Sequence, residues 1–91
     1  SETLNITAMP NNEYIALFGS VTRVMKVEKV LKREGIAFTL IPSPRMIPSP
    51  CGLAIKFGDK ERAELERILE GNKLKITHLY LKKEGEYEKI Y

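Results

Sequence analysis

The sequence predicts an α+β domain of the ferredoxin-like type, in which two helices pack on one face of a four-stranded antiparallel sheet. Three observations lead to this prediction. The 91 residues are the length of one small domain, strand-length apolar runs alternate with helical amphipathic patterns, and the order of elements is β-α-β-β-α-β. Right-handed crossovers would place both helices on one face and leave the other face free. Because this fold hosts many functions, it does not by itself indicate an activity.

The first strand and the first helix are predicted from an apolar run and its flanking residues. Residues 13–18 form a short apolar run that Gly19 closes, which is the length of a buried strand. Ser20 stands where a helix N-cap is expected. Apolar side chains then recur on one helical face through residues 21–34, and Gly35 follows as a C-cap glycine would.

The second half of the domain repeats the pattern with a long loop inserted before it. Residues 36–41 are rich in β-forming side chains, and the proline-rich residues 42–52 are predicted to form a loop. A strand is predicted over 53–57 and a second helix over 58–72, bounded by Gly58-Asp59 and Gly71-Asn72. The last strand is expected over residues 73–81.

Polar segments flank this predicted domain, which covers residues 13–81. Residues 1–12 are expected to form a flexible N-terminal arm. Residues 82–91 form a C-terminal extension, either a short hairpin around Gly85 or a tail. No segment approaches the roughly 20 apolar residues that span a bilayer, and no secretory leader is evident. We therefore expect no membrane partner and a cytoplasmic location.

Charge and composition exclude several kinds of site. Fifteen basic residues stand against twelve acidic ones, and they alternate, as in residues 26–29 and 82–84. Such alternation is typical of a solvated mixed-charge surface, so we expect no nucleic-acid partner. A single cysteine and a single histidine, His78, exclude an internal disulfide and the usual zinc sites. We expect no metal and no cofactor, and no hydrolase triad or phosphate-binding loop is evident.

The loop over residues 42–52 is the most informative segment. Hairpin loops usually have about two to five residues, whereas this one has eleven, and its four prolines each fix φ. A loop stiffened in this way loses little entropy on ordering and can hold a side chain in place. It ends in Cys51, the only thiol of the chain, followed by Gly52. Cys51 is therefore the candidate functional residue.

The predicted topology places this loop beside the start of the first helix, at residues 19–22. The free N–H groups and the dipole of a helix start favour an anion. They would stabilise a thiolate, a persulfide or a selenide on Cys51, and Arg45 in the same loop would add a positive charge. The alternative interpretation is structural, because a free cysteine often packs as a small hydrophobe.

Glu28 is a second candidate, because its carboxylate falls in the middle of the apolar helix face. Such a group needs a partner. Arg45, a strand side chain or another chain would supply one, and a structural ion pair or simple exposure is the simpler account. His78 is interpreted as an ordinary residue of the last strand.

Several motifs of the chain resemble a small bacterial family of selenium/sulfur carrier proteins, whose members occur alone or fused to a TusA-like sulfur-carrier domain. The resemblance covers about residues 13–75. Its most specific parts are Ile-Pro-Ser-Pro-Arg at 41–45 and Ser-Pro-Cys-Gly at 49–52. The apolar strands at 14–18 and 53–57 and the helix segment at 25–31 also match. The chain departs from the family at Pro48 and Pro50, where small hydroxyl residues are common.

The resemblance implies that Cys51 is the carrier thiol. It implies that Arg45 and Ser49 belong to its site and that Glu28 has a supporting role. The expected site comprises Cys51 with Arg45, Ser49, Gly52, Ser20 and Pro44.

The leading hypothesis is a sulfur or selenium carrier, which is nearer to a binding domain than to an enzyme. Cys51 would accept the atom as a persulfide or selenosulfide and pass it on by thiol exchange. Donor and acceptor proteins would be its partners, and a homodimer through the sheet stays open. The alternative is a small-molecule-binding or regulatory module in which Cys51 is structural. A nucleic-acid binder on the free face is disfavoured, because too few aromatic residues lie in a basic motif.

Overall fold

A computed structural model describes residues 12–91, so residues 1–11 of the expected N-terminal arm lie outside the described residues. The described chain forms two helices and five strands. In chain order they are β1 (Glu13–Leu17), α1 (Val21–Glu34), β2 (Thr39–Pro42), β3 (Leu53–Gly58), α2 (Asp59–Gly71), β4 (His78–Lys83) and β5 (Glu86–Lys89). The α+β class is confirmed.

All five strands belong to one antiparallel sheet with the order β2-β3-β1-β4-β5. The prediction of four strands is wrong, because residues 82–91 continue β4 and add β5. Glu84 and Gly85 connect the two strands, with φ of 53° and 82°. Positive φ at both central residues is the signature of the tight hairpin turn whose twist matches paired strands. Lys83 consequently pairs with Glu86.

Helix α1 has the predicted bounds because its caps are strong. The Ser20 side chain accepts a hydrogen bond from the Arg23 N–H, and Gly35 is the C-cap. The Ile36 N–H donates to the Leu31 carbonyl, which turns the chain out of the helix as in a Schellman motif. This turn explains why β2 begins at Thr39 and not at the predicted residue 36.

The last predicted strand is also displaced, since β4 begins at His78 and not at residue 73. Lys73 has a φ of 59°, a conformation that does not fit a strand. Leu74 and Ile76 are buried nonetheless, because the segment folds against the helix-side core. The apolar alternation that predicted a strand here therefore reflects a packed loop.

The main core lies between the sheet and the two helices. Even-numbered side chains of β1 face α1 and α2, and Phe18, directly after β1, is completely buried. The buried residues of this core are Tyr14, Ala16, Phe18, Val24, Val27, Val30, Leu31, Ile55, Phe57, Leu65, Ile68, Leu69, Leu74, Ile76 and Leu79. Burial of these apolar side chains is the chief force that holds the helices on the sheet.

A smaller core lies on the opposite face of the sheet. Ile15, Leu17 and Ala54 are buried there together with Ile47, which comes from the loop between β2 and β3. The expectation that this face is free is therefore wrong where the loop crosses it. The physical reason is visible in β1, whose apolar residues point to both sides and need cover on both.

The end of the chain is attached to α2 through Tyr91. The Ile90 N–H donates to the Leu79 carbonyl. The Tyr91 hydroxyl donates to Oε2 of Glu66 at 2.9 Å. Partial burial of the phenol, this hydrogen bond and the charge of Glu66 raise the pKa of Tyr91 to about 12.

We predict that Tyr91 makes the stability fall in alkaline solution. Between pH 10, the ordinary pKa of tyrosine, and pH about 12, only the folded state keeps the Tyr91 proton. Rising pH in this interval therefore favours the unfolded state. Denaturant unfolding of the wild type and of Tyr91→Phe at several pH values measures the effect. The difference in the free energy of unfolding between the wild type and Tyr91→Phe should be constant below pH 10 and should shrink above it. A difference that does not change with pH would contradict the assignment.

Candidate functional site

Residues 43–52 form the loop that carries Cys51, and its base is narrow. The Ser43 N–H donates to the Gly52 carbonyl at 2.9 Å, directly beyond the last β2–β3 pair, Pro42 with Leu53. Gly52 has a φ of 75°, although an added Cβ would meet nothing within 4 Å. The backbone conformation, and not lack of space, therefore requires glycine beside the thiol.

A tight turn in the middle of the loop fixes its path. The Ile47 N–H donates to the Pro44 carbonyl at 3.0 Å, so that Arg45 and Met46 are the central residues of the turn. Ile47 packs against the sheet and is only 3% exposed, whereas Met46 is 72% exposed. Ile47 anchors the loop, and the turn presents Arg45 and Met46 to solvent.

The thiol of Cys51 is half-buried and packs at the margin of the helix-side core. Its Sγ–H donates to the Leu53 carbonyl at 3.3 Å, and the Ser49 Oγ lies 3.9 Å from Sγ. The Gly52 N–H donates to Ser49 Oγ at 3.3 Å. Since this oxygen already accepts a bond from the backbone, its own proton is available for the sulfur. Deprotonation of Cys51 would remove the bond to Leu53 and leave Ser49 as the donor.

The start of α1 lies at the same end of the sheet as the loop. Ala16 pairs with Ile55 in the antiparallel β1–β3 ladder, so the end of β1 and the start of β3 are adjacent. The Ser20 hydroxyl is used for the helix cap, where it accepts the Arg23 N–H at 3.2 Å. Ser20 thus lies at the expected end of the fold, with its oxygen directed to the helix.

Among residues 12–91, neither Arg45 nor Glu28 forms a hydrogen bond with the thiol. Glu28 forms an ion pair with Lys32, one helical turn away, at 3.3 Å. The structure therefore joins Ser49, Cys51 and Gly52 through hydrogen bonds, and within residues 12–91 Arg45 and Glu28 take no part in those bonds.

Sequence reasoning missed two members of this arrangement, the Ile47 anchor and the Leu53 carbonyl. The apolar pair Met46-Ile47 in an otherwise polar, proline-rich loop was a usable signal for the anchor. A carbonyl acceptor has no sequence signal.

His78 is exposed at the start of β4. Within residues 12–91 no group of three or more His, Cys, Asp or Glu side chains is placed to hold a metal ion.

These features define a class of protein: a small α+β domain that presents one half-buried thiol on an anchored, proline-stiffened loop. A family model described as "Putative Se/S carrier protein-like" matches residues 13–81, so the chain belongs to this family. Comparison with curated proteins and with solved structures finds no match. In the part of the chain that the structure describes, no helix is long and apolar enough to cross a membrane.

Proposed function

We propose that this protein carries one sulfur or selenium atom on Cys51, as a persulfide or selenosulfide, and passes it to a partner enzyme. The observation that carries the proposal is the Ser49–Cys51–Gly52 arrangement on an anchored loop. Family membership supports it. The β2-β3-β1-β4 part of the sheet supports a ferredoxin-like frame for the site.

The transfer needs no external oxidant. In loading, the Cys51 thiolate attacks the terminal sulfur of a donor persulfide. A new sulfur–sulfur bond forms on Cys51, the bond in the donor breaks, and the donor leaves as a thiolate. Unloading is the same exchange with an acceptor thiolate attacking the atom held on Cys51. The protein is therefore a carrier, and the partner enzymes perform the chemistry that creates and uses the atom.

The loop residues have distinct roles in this proposal. The Ser49 hydroxyl donates a hydrogen bond to the anionic sulfur. This hydrogen bond becomes stronger as negative charge develops on the sulfur. Cys51 is half-buried at the margin of the helix-side core, so it is not fully enclosed. Arg45 supplies positive charge from the neighbouring turn, and Pro44 holds that turn through its carbonyl. Gly52 permits the backbone path.

Two helix residues act at longer range. Ser20 keeps the start of α1 ordered, so that its dipole points its positive end toward the thiol end of the fold. Glu28 holds Lys32 and shapes the surface of α1. We place the protein in the cytoplasm, where a reducing environment keeps a single thiol available.

The test is loading with a cysteine desulfurase and cysteine, followed by intact mass under non-reducing conditions. The wild type should gain one sulfur atom, which a reductant removes, and Cys51→Ser should gain none. Ser49→Ala should load more slowly, on the order of tenfold, because it removes a donor to a charged group. Ser43→Ala is the matched control, since the Ser43 hydroxyl has no hydrogen-bond partner among the described residues.

A wild type that gains no atom, or a Cys51→Ser variant that does, would overturn the proposal. The second candidate is a binding module in which Cys51 is structural, which the Sγ–H bond to Leu53 favours. In that case Cys51→Ser would lower the free energy of unfolding, and the wild-type thiol would neither load nor react readily with alkylating reagents.

A further inference from the structure

One side of α1 is strongly basic. Arg23, Lys26, Lys29 and Arg33 recur at intervals of three or four residues and are therefore neighbours on the helix surface. With Lys73, from the segment after α2, they line a groove of about 430 Å³. We call these five side chains the basic groove. Its other lining residues are Val30, Asn72 and Leu74, so no carboxylate lines it within the described chain.

The basic surface continues toward the thiol end of the fold. A second depression shares Arg23 and adds Lys75, beside Ser20 at the start of α1. The start of α1 and the Cys51 loop lie at the same end of the sheet, as the β1–β3 register requires. A molecule bound in the groove would therefore reach the end of the protein from which Cys51 exchanges its atom.

This concentration of positive charge is not evident in the sequence, because lysines and glutamates alternate along the chain. The helical period separates them: Glu28 pairs with Lys32 on another side of α1. Arg33 has a nearby carboxylate, since its Nε lies 3.5 Å from Glu34 Oε2. Within residues 12–91 no ion pair engages the other four groove cations. Like charges that lie side by side repel one another, and an anionic partner relieves that repulsion.

The chemistry of the groove favours an acidic protein segment over a nucleic acid. Val30 and Leu74 are largely buried and supply an apolar floor between cationic walls. Among the described residues no aromatic side chain lines the groove, whereas single-stranded nucleic acids are usually held by stacking on aromatic rings. Carboxylates of a partner can pair with the lysines and arginines while apolar side chains cover the floor.

We propose that the basic groove docks an acidic, Asp/Glu-rich segment of the protein that exchanges sulfur or selenium with Cys51. The inference rests on the proposed carrier function for the identity of that partner. Electrostatic docking of this kind accelerates encounter and orients the partner, and it weakens as salt increases.

Titration of the ¹⁵N-labelled full chain with a short polyglutamate peptide at low ionic strength tests the proposal by NMR. Shifts should concentrate at the basic groove, and added salt should abolish them. Lys26→Glu combined with Lys73→Glu should weaken binding on the order of tenfold or more. Lys60→Glu combined with Lys83→Glu is the matched control: it changes the net charge equally at exposed positions outside the groove, and binding should weaken far less.

Equal weakening by the two double variants would overturn the proposal, since only net charge would then matter. Tighter groove binding by an oligonucleotide of equal charge than by the peptide would also overturn it. Cys51→Ser should bind the peptide like the wild type. Loading of Cys51 by inorganic polysulfide, which needs no protein partner, tests the carrier chemistry separately, so failure of the groove and failure of the carrier function are distinguishable.

Discussion

Replacing Ile47 by alanine is expected to release the Cys51 loop from the sheet. Among the described residues, Ile47 is the only loop residue buried in the smaller core on the opposite face of the sheet. It packs there with Ile15, Leu17 and Ala54. Truncation of a buried isoleucine costs about 2–5 kcal/mol, through lost transfer free energy and the cavity that remains. We expect a loss of this size in the free energy of unfolding, measured by denaturant titration.

The same variant should alter the thiol. With the anchor gone, the geometry that joins Ser49 and Cys51 is no longer enforced, and we expect neutral alkylating reagents to modify Cys51 faster. Met46→Ala is the matched control, because its side chain is 72% exposed in the same turn. Exposed truncations usually change stability by no more than about 0.5 kcal/mol. If the two variants behave alike in stability and thiol reactivity, the anchoring role of Ile47 is wrong.

Replacing Phe18 by alanine should have the largest effect on the fold. Among residues 12–91, Phe18 is the largest fully buried side chain, and it lies in the helix-side core between β1 and the start of α1. Truncation of a buried phenylalanine costs about 3–5 kcal/mol. Domains of this length have total stabilities on the order of 5–13 kcal/mol. The variant should therefore lose a large part of its stability, which thermal unfolding would show as a fall in Tm of roughly 15–30 °C.

Phe38→Ala provides the comparison with an identical change of side chain. Phe38 is only half-buried, between the end of α1 and β2, where it packs against the same core. Its truncation should cost clearly less than that of Phe18. Similar losses for the two variants would mean that the core does not centre on Phe18.

The helices were predictable from sequence because local signals define their ends. Ser20 and Gly35 determine both ends of α1 through hydrogen bonds to residues three to five positions away. Strand β5 had no comparable signal, because its residues Glu86–Lys89 are mostly polar and exposed. Only the Gly85 turn pointed to a hairpin, and pairing with β4 decides between hairpin and tail.

The site was predictable in part. Four prolines and the single thiol identified the loop, because composition alone marks a stiff segment with one nucleophile. The path of the loop was not predictable, since it depends on where Ile47 meets residues far away in sequence. The exposure of Arg45 in the turn follows from that path. The basic groove was not predicted for a related reason. It forms only when the helix places its basic side chains on one side and the fold brings Lys73 beside them.

The most direct test of the carrier function is the state of Cys51 in cells. The protein would be isolated under non-reducing conditions from cultures grown with and without selenite, and its intact mass and modified peptide would be measured. We predict a reductant-sensitive gain of one sulfur or selenium atom on the peptide that contains Cys51, absent from Cys51→Ser. A bare thiol at Cys51 in both cultures, in protein that the desulfurase also fails to load, would contradict the carrier function.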